Sequence, residues 1–249
     1  MDLLLTDCPY HIVSGGRSKG IYGNGNGNGI FIKDPGGTLN KRRKDGHGGI
    51  YYGDSKHVSL SGVLNDADPT TYTRQGKLFK YNDIKFSDWL PECYRILKPK
   101  THAYIMTNPR NLKELQQSAE DAGFQFQNLL IWYKHTQTPN KYYLNAFECI
   151  LMLRKGGARN INEMGTKNIL DVRAKVGNRL HPTEKPVELM EILVRNSTNA
   201  GETVMDPFMG AGASGVACLK LNREFIGIEI DEKYYNIAKE RIDGETNRE

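Results

Sequence analysis

The stretch from residue 203 to residue 230, TVMDPFMGAGASGVACLKLNREFIGIEI, restricts the fold more than any other part of the chain. A short apolar segment ends on Asp206. Gly210, Gly212 and Gly215 follow at the spacing G-x-G-x-x-G and lead into a helical pattern. A second apolar segment, EFIGIEI, then carries Glu229, 23 residues after Asp206. Glycine tolerates positive φ and lets the backbone approach a ligand closely, while an acid ending the next strand accepts from ribose hydroxyls. A tight turn beside a surface glutamate explains any one of these parts. Strand, glycine turn, helix and acid in series predict a site for an adenosine-containing ligand.

The rest of the chain supplies matching layers. DLLLTD at the start reads as a short buried strand. In DIKFSDWLPECYRILKP, the apolar residues Ile84, Phe86, Leu90, Tyr94 and Leu97 suit a helix. Starting it near Ser87 or Asp88 sets Pro91 in the first turn, and Pro99 stops it. HAYIMTN at 102–108 is a predicted strand, and NLKELQQSAEDAGF at 111–124 an amphipathic helix closed by Gly123. NLLIWYK and FECILMLRK are two further strands. Residues 155–180 are polar and irregular, a helix begins near Pro186, and EKYYNIAKERI closes the chain as a helix. Alternating strands and helices predict an α/β domain over 1–249 with a mostly parallel, doubly wound sheet covered on both faces. Residues 11–80 break the pattern: GNGNGNG at 23–29 and KDPGGTLNKRRKDGHGG read as a long Gly/Asn-rich insertion, expected to be mobile.

Composition narrows the setting. The 249 residues suffice for a real core, although only 38% are hydrophobic. No apolar run approaches the roughly 20 residues of a membrane span. Met1 is followed by Asp2 without a basic start and apolar stretch, so no signal peptide is expected, and the protein reads as soluble and intracellular. Cys8, Cys93, Cys149 and Cys218 lie far apart with no C-x-x-C pair, which suggests reduced thiols and no metal site. A net charge of +5 permits a polyanionic partner without requiring one.

The turn opens with Asp206, Pro207 and Phe208, which sets a carboxylate where a pyrophosphate would be repelled. It also lies too near the C-terminus for the second half of a nicotinamide dinucleotide site. A cofactor with ribose and adenine but no phosphate fits better. S-adenosylmethionine has that chemistry, and Asp206 is placed to accommodate its cationic end.

Four stretches then carry a resemblance. DPFMGAGASG resembles the DPF-x-G-x-G cofactor motif of amino-directed DNA methyltransferases, and TDCPY at 6–10 resembles their D-P-P-Y catalytic motif. HPTEKPVEL is similar to the segment before their cofactor strand, and WYKHTQTPNKYYLNAFECILMLRKG to their W-x-K…E-x-I-L…R-K-G stretch. Catalytic motif first and cofactor motif last is the permuted order of the beta group. Together these stretches extend over residues 1–10 and 80–243. The resemblance implies a Rossmann-like S-adenosylmethionine-dependent methyltransferase fold and methyl transfer to an exocyclic amino group in DNA, N6 of adenine or N4 of cytosine. Aspartate opening the motif favours adenine by family tendency.

An exocyclic amino nitrogen is a poor nucleophile, because its lone pair is delocalised into the ring. By the resemblance, Asp7 and the backbone carbonyl of Cys8 accept its two N–H bonds and stabilise the developing charge. Pro9 biases Cys8 to extended backbone, and Tyr10 stacks on a base flipped from the duplex. Phe208, Gly210, Gly212, Ser214 and Glu229 line the cofactor, and His181, Thr183 and Lys185 close over its methionine end. The chain departs from the family in three ways. Cys8 replaces the first proline, no acid-bearing segment precedes the catalytic strand, and the candidate target-recognition segment at 155–180 is short. DNA is the implied partner, inside a bacterial or phage-infected cell; a homodimer and a cognate restriction enzyme are left open. KRRK at 41–44 is a candidate phosphate contact, and Trp132, Lys134, Tyr142 and Tyr143 are candidates for a base pocket. Two rivals stand beside this reading, a nicotinamide-dependent oxidoreductase and an inactive DNA-binding relative.

Overall fold

A computed structural model describes residues 1–9, 84–138, 142–157, 159–177 and 179–246. Tyr10, the insertion at 11–80 and KRRK lie outside the described residues. In chain order the elements are β1 (Leu3–Asp7), α1 (Phe86–Ile96), β2 (Thr101–Thr107), α2 (Leu112–Asp121), β3 (Gln125–Thr138), β4 (Asn145–Lys155), β5 (Ile169–Asp171), α3 (Val187–Ser197), β6 (Thr203–Asp206), α4 (Ala213–Lys220), β7 (Glu224–Gly227) and α5 (Glu232–Thr246). Among the described residues the strands form one sheet in the order β5-β3-β4-β2-β1-β6-β7. Only β4 runs against its neighbours, so the sheet is mostly parallel, as the alternation predicts.

Strand alternation sorts the core into two layers. Leu3 and Leu5 point to the face where Leu189 and Leu193 of α3 and Ala217 of α4 pack. Leu4 points to the opposite face, with Leu90 of α1 and Leu115 and Ala119 of α2. Both faces are therefore covered, the arrangement that lets buried parallel strands satisfy their backbone. From β1 the chain steps one way to β2, while β6 pairs on its other side and continues outward to β7. The crevice at the carboxyl ends of β1 and β6 is thus a topological switch point, where open α/β sheets bind ligands.

Several boundaries differ from the sequence expectation. Helix α1 starts at Phe86, so Pro91 lies beyond its first turn. Both Pro91 and Ser87, whose carbonyl loses its helical donor, are exposed, so solvent takes that carbonyl. The segment expected to be wholly irregular at 155–180 contains β5, which pairs with Ile131–Tyr133. EFIGIEI stops as a strand at Gly227, and Glu229 lies in the loop beyond it. Gly123 follows α2 at φ +105, and a Cβ there would meet the Tyr94 ring at 2.9 Å.

The hairpin β3–β4 is longer than its sequence pattern suggests. Asp7 aligns with Met106, Met106 with Ile150 and Ile150 with Leu130. Strand β3 therefore continues from Leu130 to Thr138 past the level of Asp7, roughly 25 Å at strand rise. Tyr142 and Tyr143 stand beyond it, 81% and 86% exposed.

Candidate active site

Because β1 and β6 are parallel neighbours, the segments ending in Asp7 and Asp206 finish at the same edge. Asp206 is buried, with a donor on each oxygen. Its Oδ1 accepts from Thr6 Oγ1 at 2.7 Å and from the Phe208 N–H at 3.1 Å, and its Oδ2 accepts from Ser214 Oγ at 2.6 Å. Burial pushes its pKa up to about 6 despite these donors. Asp206 thus ties β1, the turn and α4 together. Pro207 follows half-buried, and the Phe208 ring meets Trp89 edge-on at 5.1 Å.

The glycines serve different needs. Gly212 caps α4 at φ +76, and a Cβ would come within 3.1 Å of the Ala238 backbone in α5. Gly210 has φ +52, and its N–H donates to Glu229 Oε2 at 3.0 Å. The Asp231 N–H donates to Glu229 Oε1 at 2.9 Å. Each Glu229 oxygen keeps a further lone pair, so the acid can still accept two ligand hydroxyls. Three carboxylates (Asp206, Glu229 and Asp231) cluster about this turn, which suits a ligand with ribose hydroxyls and no phosphate.

The segment HPTEKP is fastened to the same turn. His181 Nδ1 accepts from the Thr183 N–H at 3.3 Å and lies 3.0 Å from Thr183 Oγ1, and its ring meets Tyr234 edge-on at 4.3 Å. Burial, with the positive Lys185 nearby, lowers the His181 pKa to about 4, so the ring is neutral at pH 7. Glu184 accepts from Lys175 and from the Leu180 N–H, and pairs with Arg241 of α5 at 3.1 Å. Arg241 also donates to the Ala211 carbonyl at 2.5 Å, joining this segment to the glycine turn.

Lys185, read in the sequence beside His181 and Thr183, bonds Asp7 Oδ2 and lies 3.3 Å from Glu148 Oε2. Lys134 pairs with Glu148 Oε1 at 3.1 Å. Asp7 Oδ1 is buried with no hydrogen-bond partner among the described residues. Burial raises the Asp7 pKa, with Lys185 opposing it. Burial acts likewise on Glu148, but Lys185 and Lys134 outweigh it and hold that carboxyl below its usual range. The Cys8 thiol is buried, donates weakly to the Met106 carbonyl at 3.6 Å and is pushed well up by burial, so it stays protonated. Pro9 follows it, half-buried.

Trp132 belongs to the core, with its indole N–H on the Val172 carbonyl at 2.8 Å. Glu148 is the residue that sequence reasoning did not single out. Its signal was present only as the glutamate of E-x-I-L, fourteen residues after the lysine of W-x-K.

A family model described as DNA methylase, spanning N6 and N4 enzymes, matches residues 1–240. The chain belongs to this DNA methylase family. It is 34% identical over 191 residues to the type II methyltransferase M.HpaI of Haemophilus parainfluenzae, a match covering 66% of this chain and 60% of that protein. It is 25% identical over 232 residues to M2.DpnII of Streptococcus pneumoniae, covering 83% and 86% of the two chains. The crystal structure of the M1.HpyAVI–SAM complex superposes with a TM-score of 0.58 and 28% identity over 63% of this chain and 81% of that one. The sheet and its covering helices are thus the Rossmann-like fold of DNA methylases.

Proposed function

We propose that this protein transfers a methyl group from S-adenosylmethionine to the N6 amino group of adenine in DNA. The observation that carries the reading is the buried Oδ1 of Asp7, which has no partner among the described residues, at the sheet edge where the glycine turn also opens. A buried acceptor without a donor has an energetic need for an N–H, and an exocyclic amino group supplies one. When bound, S-adenosylmethionine supplies an electrophilic methyl carbon on a sulfonium.

The chain's residues do the rest. Glu229 accepts from the ribose hydroxyls with the lone pairs its two backbone donors leave. Asp7 Oδ1 and the Cys8 carbonyl accept the two amino N–H bonds and stabilise the nitrogen as it becomes cationic. The Cys8 thiol takes no part, because burial keeps it neutral. The hairpin and the segment beside it face the DNA in this reading. Residues 132–147 carry Lys134 and Lys141, and residues 172–183 carry Arg173, Lys175 and Arg179; Lys134 and Lys175 are ion-paired to Glu148 and Glu184, so Lys141, Arg173 and Arg179 are the candidates for phosphate. The two stretches run side by side, with the Ala174 N–H on the Lys134 carbonyl at 3.0 Å. Positive charge with exposed Tyr142 and Tyr143 suits a phosphate backbone and opened base stacks.

Expression in a methylation-free bacterial host, followed by nucleoside analysis and modification-sensitive sequencing of the DNA, tests this. N6-methyladenine at a defined sequence is the expected result. N4-methylcytosine would move the assignment to the other base, and unmodified DNA would overturn it.

A further inference from the structure

Lys134, Glu148, Lys185 and Asp7 form an alternating row of two ammoniums and two carboxylates, drawn from β3, β4, the segment before α3 and β1. Lys185 is only 6% exposed and stands between both acids. It bonds Asp7 Oδ2 and is at the same time ion-paired with the buried Glu148 Oε2, more loosely, at 3.3 Å. One lysine therefore serves two carboxylates, and its hold on the second has room to tighten. Lys134 holds the other Glu148 oxygen, so Glu148 is fixed in the sheet while Lys185 sits on a loop.

We propose that Lys185 is a movable counter-ion, masking Asp7 in the resting protein and passing to Glu148 as the substrate amino group becomes cationic. The second half of this statement rests on the methyl-transfer reading above. Its physical basis is charge crowding. A cationic nitrogen at the buried Asp7 Oδ1 with an ammonium still at Oδ2 puts two positive charges on one half-buried carboxylate, where their repulsion is screened less than in water. Closer approach of Lys185 to Glu148 Oε2, with which it is already paired at 3.3 Å, relieves it without moving a charge into water. Lys185 and Glu148 are then positioning residues for Asp7.

The other groups facing Asp7 do not compete for this role. Cys8 on its own strand is a protonated thiol, Asp206 on β6 is engaged by its three donors, Met106 is its partner on β2, and Lys134 is committed to Glu148.

Two substitutions should move Asp7 in opposite directions. Lys185→Met removes the counter-ion, so the acid limb of the turnover–pH profile should shift up by about one unit or more. Glu148→Gln leaves Lys185 to Asp7 alone. The limb should then shift down, and the plateau should fall about tenfold with KM for DNA nearly unchanged. Lys185→Arg, which keeps the charge, should leave the limb in place. A carbon-13 carboxyl titration of the cofactor-free protein, with the Asp7 signal assigned by its loss in Asp7→Asn, should show the same opposed shifts. That titration needs neither cofactor nor DNA, so it decides the resting-state pairing even if the wild-type protein methylates nothing. Limbs that stay put while activity falls, or that move the same way in both variants, would overturn the proposal. If Lys185→Met does not fold, Glu148→Gln decides alone: a downward shift supports the shared lysine and an unmoved titration refutes it.

Discussion

Two aspartates end neighbouring segments at one sheet edge, and they are treated in opposite ways. Among the described residues Asp206 accepts from three neutral donors, at least one on each oxygen, and pairs with no cation. Asp7 is held by a lysine on one oxygen and by nothing among the described residues on the other. A carboxylate with a donor on each oxygen holds structure together. One left with a bare buried oxygen keeps capacity for something not yet there. In the methyl-transfer reading proposed above, the difference separates the residue that builds the crevice from the one that acts in it, although both sit in motifs of similar form.

The comparison is most exposed to substitution at Asp7. Asp7→Ala should cost between about 100- and 1,000-fold in turnover, the range for losing one preorganised charge-stabilising group. Stability should change by less than about 1 kcal/mol, because Lys185 still faces Glu148. A large loss of stability in urea titrations would show that Asp7, like Asp206, is mainly structural.

The next effect lies in the pH dependence of stability. Asp206 binds its proton more tightly folded, at about 6 against 3.8 unfolded, so its contribution is full below about pH 3.8 and lost as pH rises to about 6. His181 behaves oppositely, at about 4 against 6.5, and its contribution is lost as pH falls through that window. Each is on the order of 3 kcal/mol, and they offset one another. Relative to the parent, Asp206→Asn should lose stability as pH falls from 6.5 to 4, and His181→Asn should gain it. Urea midpoints at several pH values check both, and parallel curves would remove the distinction drawn for Asp206.

A smaller effect is expected at the turn. Glu229→Ala should weaken S-adenosylhomocysteine binding about tenfold by calorimetry, the size of one lost charge-assisted pair of bonds. The smallest belongs to Cys8. Cys8→Ala keeps the backbone carbonyl, so activity should stay within about twofold, with a stability loss of about 1 kcal/mol for the buried sulfur. A Cys8→Ala variant as inactive as Asp7→Ala would give the thiol a chemical role.

What could be read in advance was what is written locally. The glycine turn, the flanking strands and Gly123 follow from residues within a few positions of one another, and their physics is short-range. The charge row is different. Lys134, Glu148 and Lys185 each occur inside a recognisable stretch, but nothing near any of them says that they meet Asp7, 178 residues from Lys185. Lys185 therefore read as a neighbour of His181, and Glu148 as one letter of a strand. Strand β5 escaped for a related reason: three residues are too few for periodicity, and only pairing with β3 makes them a strand.

The central place of β1 also governs when a nascent chain can work. Its partner Met106 on β2 arrives early, but Asp206 comes 200 residues after Thr6. At roughly 5–20 residues per second, a ribosome releases the opening strand about 10 to 40 s before the segment that completes the crevice. Until β2 is made, about halfway through that interval, Leu3, Leu4 and Leu5 lie in a strand with neither neighbour, and afterwards in one paired on a single side, a template for wrong partners. Incomplete chains thus have no assembled crevice, which waits for the last third of the chain to be synthesised and docked.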